Sequence, residues 1–255
     1  MRFILCMIMF FFPFINKVDA IGASNLNYQF YVIPVAGVED AQIELILKND
    51  SDIPLNFEFP TSQTFEISIL NSAGREVYRY SKGRYFLQAF QTVKVEPHKT
   101  YKRMEKWNYQ LNGKRVPQGE YTVISSFKPT QLNDMLIKDR EKLTKSQKIL
   151  VPEENSAFRH LKVEGNNGNY VVTGETRTEK GLFFYTVEDG HVEYIKEKQV
   201  LLNEGNSDWH SFKLQIHLPK EKLPANGTLI LNLYERGKEG KIINTYPFIL
   251  ENFTK

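Results

Sequence analysis

FEISILNSAGREVYRYSKGRYFLQAF, residues 65–90, shows one hydrophobic period and breaks it only at turns. Phe65, Ile67 and Ile69 alternate with Glu66 and Ser68, the period-2 pattern of a half-buried strand. Asn71-Ser72-Ala73-Gly74 supplies turn residues, and Glu76 to Tyr80 resumes extended structure, so the stretch predicts a hairpin. Ser81-Lys82-Gly83-Arg84 predicts a second turn and Tyr85 to Phe90 a third strand. The stretch contains no reactive group, which points to binding rather than catalysis.

The same grammar extends to either side. Tyr28 to Val35 predicts a first strand. Ile43, Leu45 and Leu47 alternate with polar residues up to the turn cluster Asn49-Asp50-Ser51-Asp52. Leu55, Phe57 and Phe59 line one face of a strand that Pro60 ends. Thr92 to Val95, Lys99 to Trp107 and Gly119 to Phe127 complete the set. About eight short strands in about 100 residues is the pattern of a β-sandwich. Residues 129–160 read differently. Leu132, Met135, Leu136 and Leu143 fall roughly at helical spacings, and residues 137–148 are rich in Lys and Arg. A polar, partly helical linker is the expectation there, preferred over a basic strip for an anionic wall or membrane surface.

Alternation returns at Tyr170-Val171-Val172, and Gly181 to Val187 is a nearly continuous apolar run, as for a strand covered on both faces. Phe212, Leu214, Ile216 and Leu218 face one way, and Leu229, Leu231 and Leu233 line another strand. The last strand is expected at Ile242 to Leu250. The fold class predicted is all-β: two consecutive immunoglobulin-like β-sandwiches, at residues 24–128 and 161–252, joined by the linker.

The 255 residues carry 33 Lys plus Arg against 30 Asp plus Glu, a net charge of +3 with signs interspersed, which gives no case for a nucleic-acid partner. The beginning of the chain reads as an export signal over residues 1–20. Arg2 precedes an apolar run from Phe3 to Ile15, and Val18-Asp19-Ala20 offers a small-residue cleavage site. Cleavage after Ala20 is expected, with Ala23 as the alternative. The run falls short of the roughly 20 apolar residues of a bilayer span, so a membrane association would come only from an uncleaved leader. Cys6, the one cysteine, lies inside this leader, so a cleaved chain has no thiol for a disulfide, a nucleophile or a metal.

Several residues in order carry a resemblance. Leu45-Ile46-Leu47-Lys48-Asn49, Pro54-Leu55-Asn56-Phe57, Gln63 with Phe65, Gly74-Arg75-Glu76-Val77-Tyr78-Arg79-Tyr80, Phe86 with Gln88-Ala89, Trp107 and Gly119-Glu120-Tyr121 are similar to the BsuPI family of proteinase inhibitors. The resemblance covers most of residues 38–127, with Tyr78 where the family commonly has Trp. It implies a non-enzymatic protein whose partner is a serine protease of the subtilisin type. In the second half, Thr173-Gly174-Glu175-Thr176-Arg177, Trp209 with Phe212, and Leu233-Tyr234-Glu235 before Gly240 resemble the immunoglobulin-like domain that accompanies bacterial spore-germination proteins. That likeness implies an envelope or spore setting.

Two segments are candidates for an inhibitory loop: Lys82 to Phe86, and Tyr109 to Gln118, where Pro117 stiffens a Gly113-containing loop. Both are also ordinary hairpin turns by composition. The candidate contact residues are Tyr80, Arg84, Tyr85, Tyr109 and Arg115, because Tyr and Arg are favoured at binding hot spots. Trp107 and Trp209 are expected in the cores rather than on a stacking platform. His98, His160, His191, His210 and His217 show no metal-ligand spacing, and no phosphate loop or nucleophile elbow is present, so no cofactor, metal or catalytic residue is expected. The functional expectation is an exported proteinase inhibitor acting through loops of the first sandwich; the alternative is an envelope- or spore-associated interaction module without inhibitory activity.

Overall fold

A computed structural model describes residues 26–178, 181–202 and 208–253. The leader expected at 1–20 lies outside the described residues. The first part of the chain forms β1 (Tyr28–Ala36), β2 (Ala41–Asn49), β3 (Leu55–Phe59), β4 (Phe65–Leu70), β5 (Glu76–Arg79), β6 (Gln91–Val95), β7 (Thr100–Trp107), β8 (Gln110–Leu111), β9 (Lys114–Arg115), β10 (Gly119–Phe127), β11 (Gln131–Leu132), β12 (Met135–Leu136) and β13 (Thr144–Val151). The second part forms β14 (Phe158–Asn166), β15 (Asn169–Thr176), β16 (Leu182–Glu188), β17 (Glu193–Leu201), β18 (His210–His217), β19 (Gly227–Arg236) and β20 (Ile242–Phe253).

The sheets are antiparallel, in the orders β1-β2-β7, β13-β10-β4-β5 and β12-β11-β3-β6 around one core, and β14-β15-β18 and β17-β16-β19-β20 around another, with β8 and β9 a small separate hairpin. Period 2 decides which side chains enter. Ile43, Leu45 and Leu47 of β2, Leu55, Phe57 and Phe59 of β3, and Phe65, Ile67 and Ile69 of β4 are buried in the first core. Phe212, Leu214 and Ile216 of β18 and Leu229, Leu231 and Leu233 of β19 are buried in the second. In β16, Phe183, Tyr185 and Val187 are buried while the opposite face is only half covered, with Phe184 stacked on Tyr234 at 6.1 Å.

Asn49 ends β2 and fastens the turn that follows. Its side-chain amide is buried; Nδ2 donates to the carbonyls of Ile53 at 2.8 Å and Val95 at 2.9 Å, and Oδ1 accepts from the N–H and the hydroxyl of Ser51. The amide thus satisfies donors and acceptors that a solvent-free turn would otherwise leave unpaired.

Two expectations are corrected. Tyr85 to Phe90 is not a strand: β5 ends at Arg79, and β6 begins at Gln91 in a different sheet, so the segment between them is a crossover with no strand edge to pair with. Residues 129–160 are not mainly a linker and contain no α-helix. Asn133 and Asp134, both at positive φ, turn the β11–β12 hairpin, a single 3-10 turn spans Glu141–Leu143, and β13 pairs with β10 from Gly119↔Val151 to Ser126↔Thr144. Helical spacing misleads there because Leu132 and Leu143 enter the core whereas Met135 and Leu136 are exposed hairpin residues.

Candidate protein-binding surface

The crossover from β5 to β6 carries the exposed apolar surface nearest to the sequence-predicted residues. Tyr85 is 101% exposed, Leu87 71% and Phe90 77%. Three large apolar side chains within six residues, all in water, are what a protein contact site presents and a folded core does not.

The crossover is held at its base. Tyr80 N–H donates to the Ile67 carbonyl at 2.8 Å and Ser81 N–H to Glu66 Oε1 at 3.1 Å, which continues the β4–β5 pairing one step past the strand. Gly83, at φ +75, closes a turn that a side chain would strain, and Arg84 N–H donates to the Ser81 carbonyl at 3.2 Å. The Tyr80 ring lies 4.2 Å from that of Phe65, with the Arg84 guanidinium over it at 4.1 Å and the Phe86 ring at 5.9 Å.

Arg84 is fixed in turn by Glu105 on β7. Its Nη2 donates to Oε1 at 2.6 Å and its Nη1 to Oε2 at 3.1 Å, the two-pronged geometry in which Arg–carboxylate pairs are strongest. Tyr78 donates its hydroxyl to Glu105 Oε1 at 2.7 Å. The hydrogen bond to Glu105 holds the Arg84 pKa above its ordinary value, and burial followed by the Glu105 hydrogen bond pushes the Tyr78 phenol up. Further along, the Leu87 backbone is clamped by Ser62 on both sides: its N–H donates to Oγ at 2.9 Å and its carbonyl accepts from the Ser62 N–H at 3.0 Å.

The five sequence-predicted contact residues therefore separate. Tyr80, Arg84 and Tyr85 lie together on the crossover, Tyr80 as a half-buried base, Arg84 as a strut and Tyr85 in water. Tyr109 and Arg115 are elsewhere and serve the fold. Tyr109 is fully buried and donates its hydroxyl to the carbonyls of Gly37 and Asp40, both at 2.9 Å; burial pushes its phenol up to about 12. The Arg115 guanidinium sits 4.9 Å from the Tyr109 ring and donates through Nη2 to the carbonyls of Val38 and Pro152. Tyr109 and Arg115 thus brace the second candidate loop against the β1–β2 turn, while Asn112, Gly113, Lys114, Pro117 and Gln118 are exposed. The apolar alternation Trp107, Tyr109, Leu111 was a signal for that inward path.

Trp107 is in the first core, in edge contact with Tyr109 at 5.1 Å and Tyr121 at 5.6 Å. Trp209 is not a core residue: it is half exposed, between the guanidinium groups of Arg159 at 4.1 Å and Arg177 at 4.8 Å, where a strand end leaves it beside two long cations. Sequence reasoning missed Ser62, Glu66 and Glu105 as anchors and Leu87 and Phe90 as exposed contacts. Among the described residues no group of His, Cys, Asp or Glu is arranged to hold a metal ion, and no helix is long and apolar enough to cross a membrane.

No curated protein matches this chain by sequence. Among solved structures, red sea bream transglutaminase is 11% identical with a TM-score of 0.30, over 89% of this chain and 31% of that one. A β-glucosidase from Listeria innocua in complex with isofagomine is 14% identical with a TM-score of 0.29, over 50% of this chain and 16% of that one. The chain thus spans less than a third of either protein, and neither likeness bears on what it does. Residues 35–132, which include the crossover and all of its anchors, match the family model BsuPI, described as intracellular proteinase inhibitor.

Proposed function

We propose that this chain is an exported, non-enzymatic binding protein that inhibits a serine protease of the subtilisin type through residues 81–90, the second sandwich serving to tether or orient the first. The observation that carries the reading is an exposed apolar segment fixed at both ends, by Arg84 on Glu105 and by Leu87 on Ser62. Fixing such a segment before binding removes much of the ordering cost that an uncleaved, tightly held loop would otherwise incur. Here a bidentate Arg–carboxylate pair and a doubly bonded backbone take the place of the disulfides that brace many small inhibitors. The family match over residues 35–132 supports a protease as partner, and the leader pattern at 1–20 supports export. The resemblance of the second half to a germination-associated domain favours an envelope or spore setting for the same activity.

The test is a titration of the protein against a secreted subtilisin-type protease, following peptide hydrolysis and chain integrity together. Stoichiometric loss of activity with an intact chain is the expected result, and substitution of Tyr85, Leu87 and Phe90 by Ser in one variant is expected to abolish it. Unchanged hydrolysis, or digestion of the chain, defeats the reading.

A further inference from the structure

We infer that Tyr85 is the residue this chain presents to the primary specificity pocket of its target, and that the target is a serine protease with a deep pocket for aromatic side chains. The inference rests on the reading of residues 81–90 as the inhibitory segment and goes beyond it by assigning one residue and one pocket chemistry.

A residue seated like a substrate must have three things free: its side chain, its N–H and its carbonyl. The carbonyl is the group a catalytic serine approaches and an oxyanion hole receives. Within the segment, Tyr85 and Phe90 have all three free, and of the two only Tyr85 lies between the anchored residues Arg84 and Leu87. The Tyr85 side chain is completely exposed, and no group among the described residues hydrogen-bonds its backbone. Leu87 is excluded because Ser62 occupies both its N–H and its carbonyl. Arg84 is excluded because its guanidinium is committed to Glu105 and Tyr80.

The neighbours also explain why such a site would resist turnover. Hydrolysis of the Tyr85–Phe86 bond adds water across it, giving a Tyr85 carboxylate and a Phe86 amine. Both new ends would stay in place, the first through Arg84 on Glu105, the second through the Phe86 ring near Tyr80 and the Leu87 clamp. Ends held together favour reversal of the cleavage over release.

The experiment compares the unaltered protein with Tyr85→Ala, Tyr85→Arg, the double variant Leu87→Ser with Phe90→Ser, and Leu150→Ser, an exposed position on β13, against a subtilisin-type and a trypsin-like protease. The expected result is that Tyr85→Ala weakens inhibition of the subtilisin-type enzyme at least about 30-fold, as loss of a central hot spot does. Tyr85→Arg is expected to transfer inhibition to the trypsin-like enzyme, and Leu150→Ser to behave as the unaltered protein. Long incubation with catalytic protease is expected to leave the chain predominantly intact by mass, the only bond cut in the remainder being Tyr85–Phe86. If both Tyr85 variants inhibit like the unaltered protein while the double variant fails, the assignment of Tyr85 falls and the inhibitory segment stands. If the unaltered protein inhibits neither enzyme, the functional reading falls and takes this inference with it. Near-UV circular dichroism of each variant separates lost contact from lost fold.

Discussion

Replacing Asn49 tests whether one buried amide sets the stability of the first sandwich. In Asn49→Ala, the Val95 carbonyl loses its side-chain donor and the buried Ser51 N–H loses its acceptor, whereas the Ile53 carbonyl gains the Ser51 hydroxyl, 3.1 Å away and released from Asn49 Oδ1. Two buried groups left unpaired, at about 1–2 kcal/mol each, give a loss of about 2–4 kcal/mol. Asn49→Asp is nearly isosteric and changes only the donor. The introduced carboxylate would face the two carbonyls to which Nδ2 now donates, so the folded state would hold that carboxyl above its ordinary pKa. The folded form then binds the proton more tightly than the unfolded one, so the destabilisation is largest at neutral pH and lessens as pH falls through the raised value. Ser51→Ala removes only a hydroxyl and is expected to cost about 1 kcal/mol. Urea unfolding of the three variants at pH 7 and pH 4.5 is the assay. A loss under about 1 kcal/mol for Asn49→Ala, or a penalty for Asn49→Asp that does not change with pH, would refute the role given to this amide.

Other consequences are open to measurement. Glu105→Gln should weaken the hold on Arg84 and Tyr78, lowering stability by about 1 kcal/mol, since the Arg84 side chain is 42% exposed and its pair partly screened, and lowering inhibitory affinity about 10-fold by freeing residues 81–90; equal affinity would show that the segment needs no strut. Gly168 sits at φ +88 with a would-be Cβ 2.2 Å from the Leu218 carbonyl oxygen, because its own carbonyl accepts from the Leu218 N–H at 2.7 Å. Gly168→Ala should therefore cost at least about 2 kcal/mol by urea midpoint, and an unchanged midpoint would contradict that close approach. Asp189 accepts from the Tyr194 hydroxyl and the N–H groups of Val192 and His191, which together lower its pKa from 3.8 to about 2. The stability it lends is full above 3.8 and is lost as pH falls through about 2. A carboxyl resonance titrating near 4 would be the contrary result.

Strands were legible in the sequence where one face is dry and the other wet. β2, β3, β4, β18 and β19 alternate because their inward residues, Asn49 of β2 apart, are apolar side chains packed in a core, and an alternation of that kind has no other cheap explanation. The same alternation misleads where the protein leaves it uncovered. Tyr85 and Leu87 look like strand residues, but periodicity reports which side chains are apolar, not whether the protein itself covers them. β13 was hidden for the opposite reason: its first five residues, Thr144 to Lys148, are all polar and exposed, so only Ile149 to Val151 carry a pattern, and it is the pairing with β10 that makes it a strand.

The candidate site was half legible. Tyr80, Arg84 and Tyr85 follow from residue type and from their place beside a turn. Their anchors do not, because Glu105 is 21 residues from Arg84, and Ser62 is 25 residues from Leu87, on strands and turns whose proximity only the sheet topology creates. Tyr109 and Arg115 show the converse error. A Tyr and an Arg near Gly113 look like contact residues, yet the Tyr109 hydroxyl and the Arg115 Nη2 are bonded to four carbonyls of the chain itself.

The measurement that bears most directly on the proposed inhibition is binding of the protein to a subtilisin-type protease whose active-site serine is either free or covalently blocked by a small sulfonyl reagent, followed by calorimetry. The account predicts one-to-one binding to the free enzyme and none to the blocked one, since residues 81–90 and the reagent would claim the same cleft. Equal binding to both forms, or to neither, would contradict it.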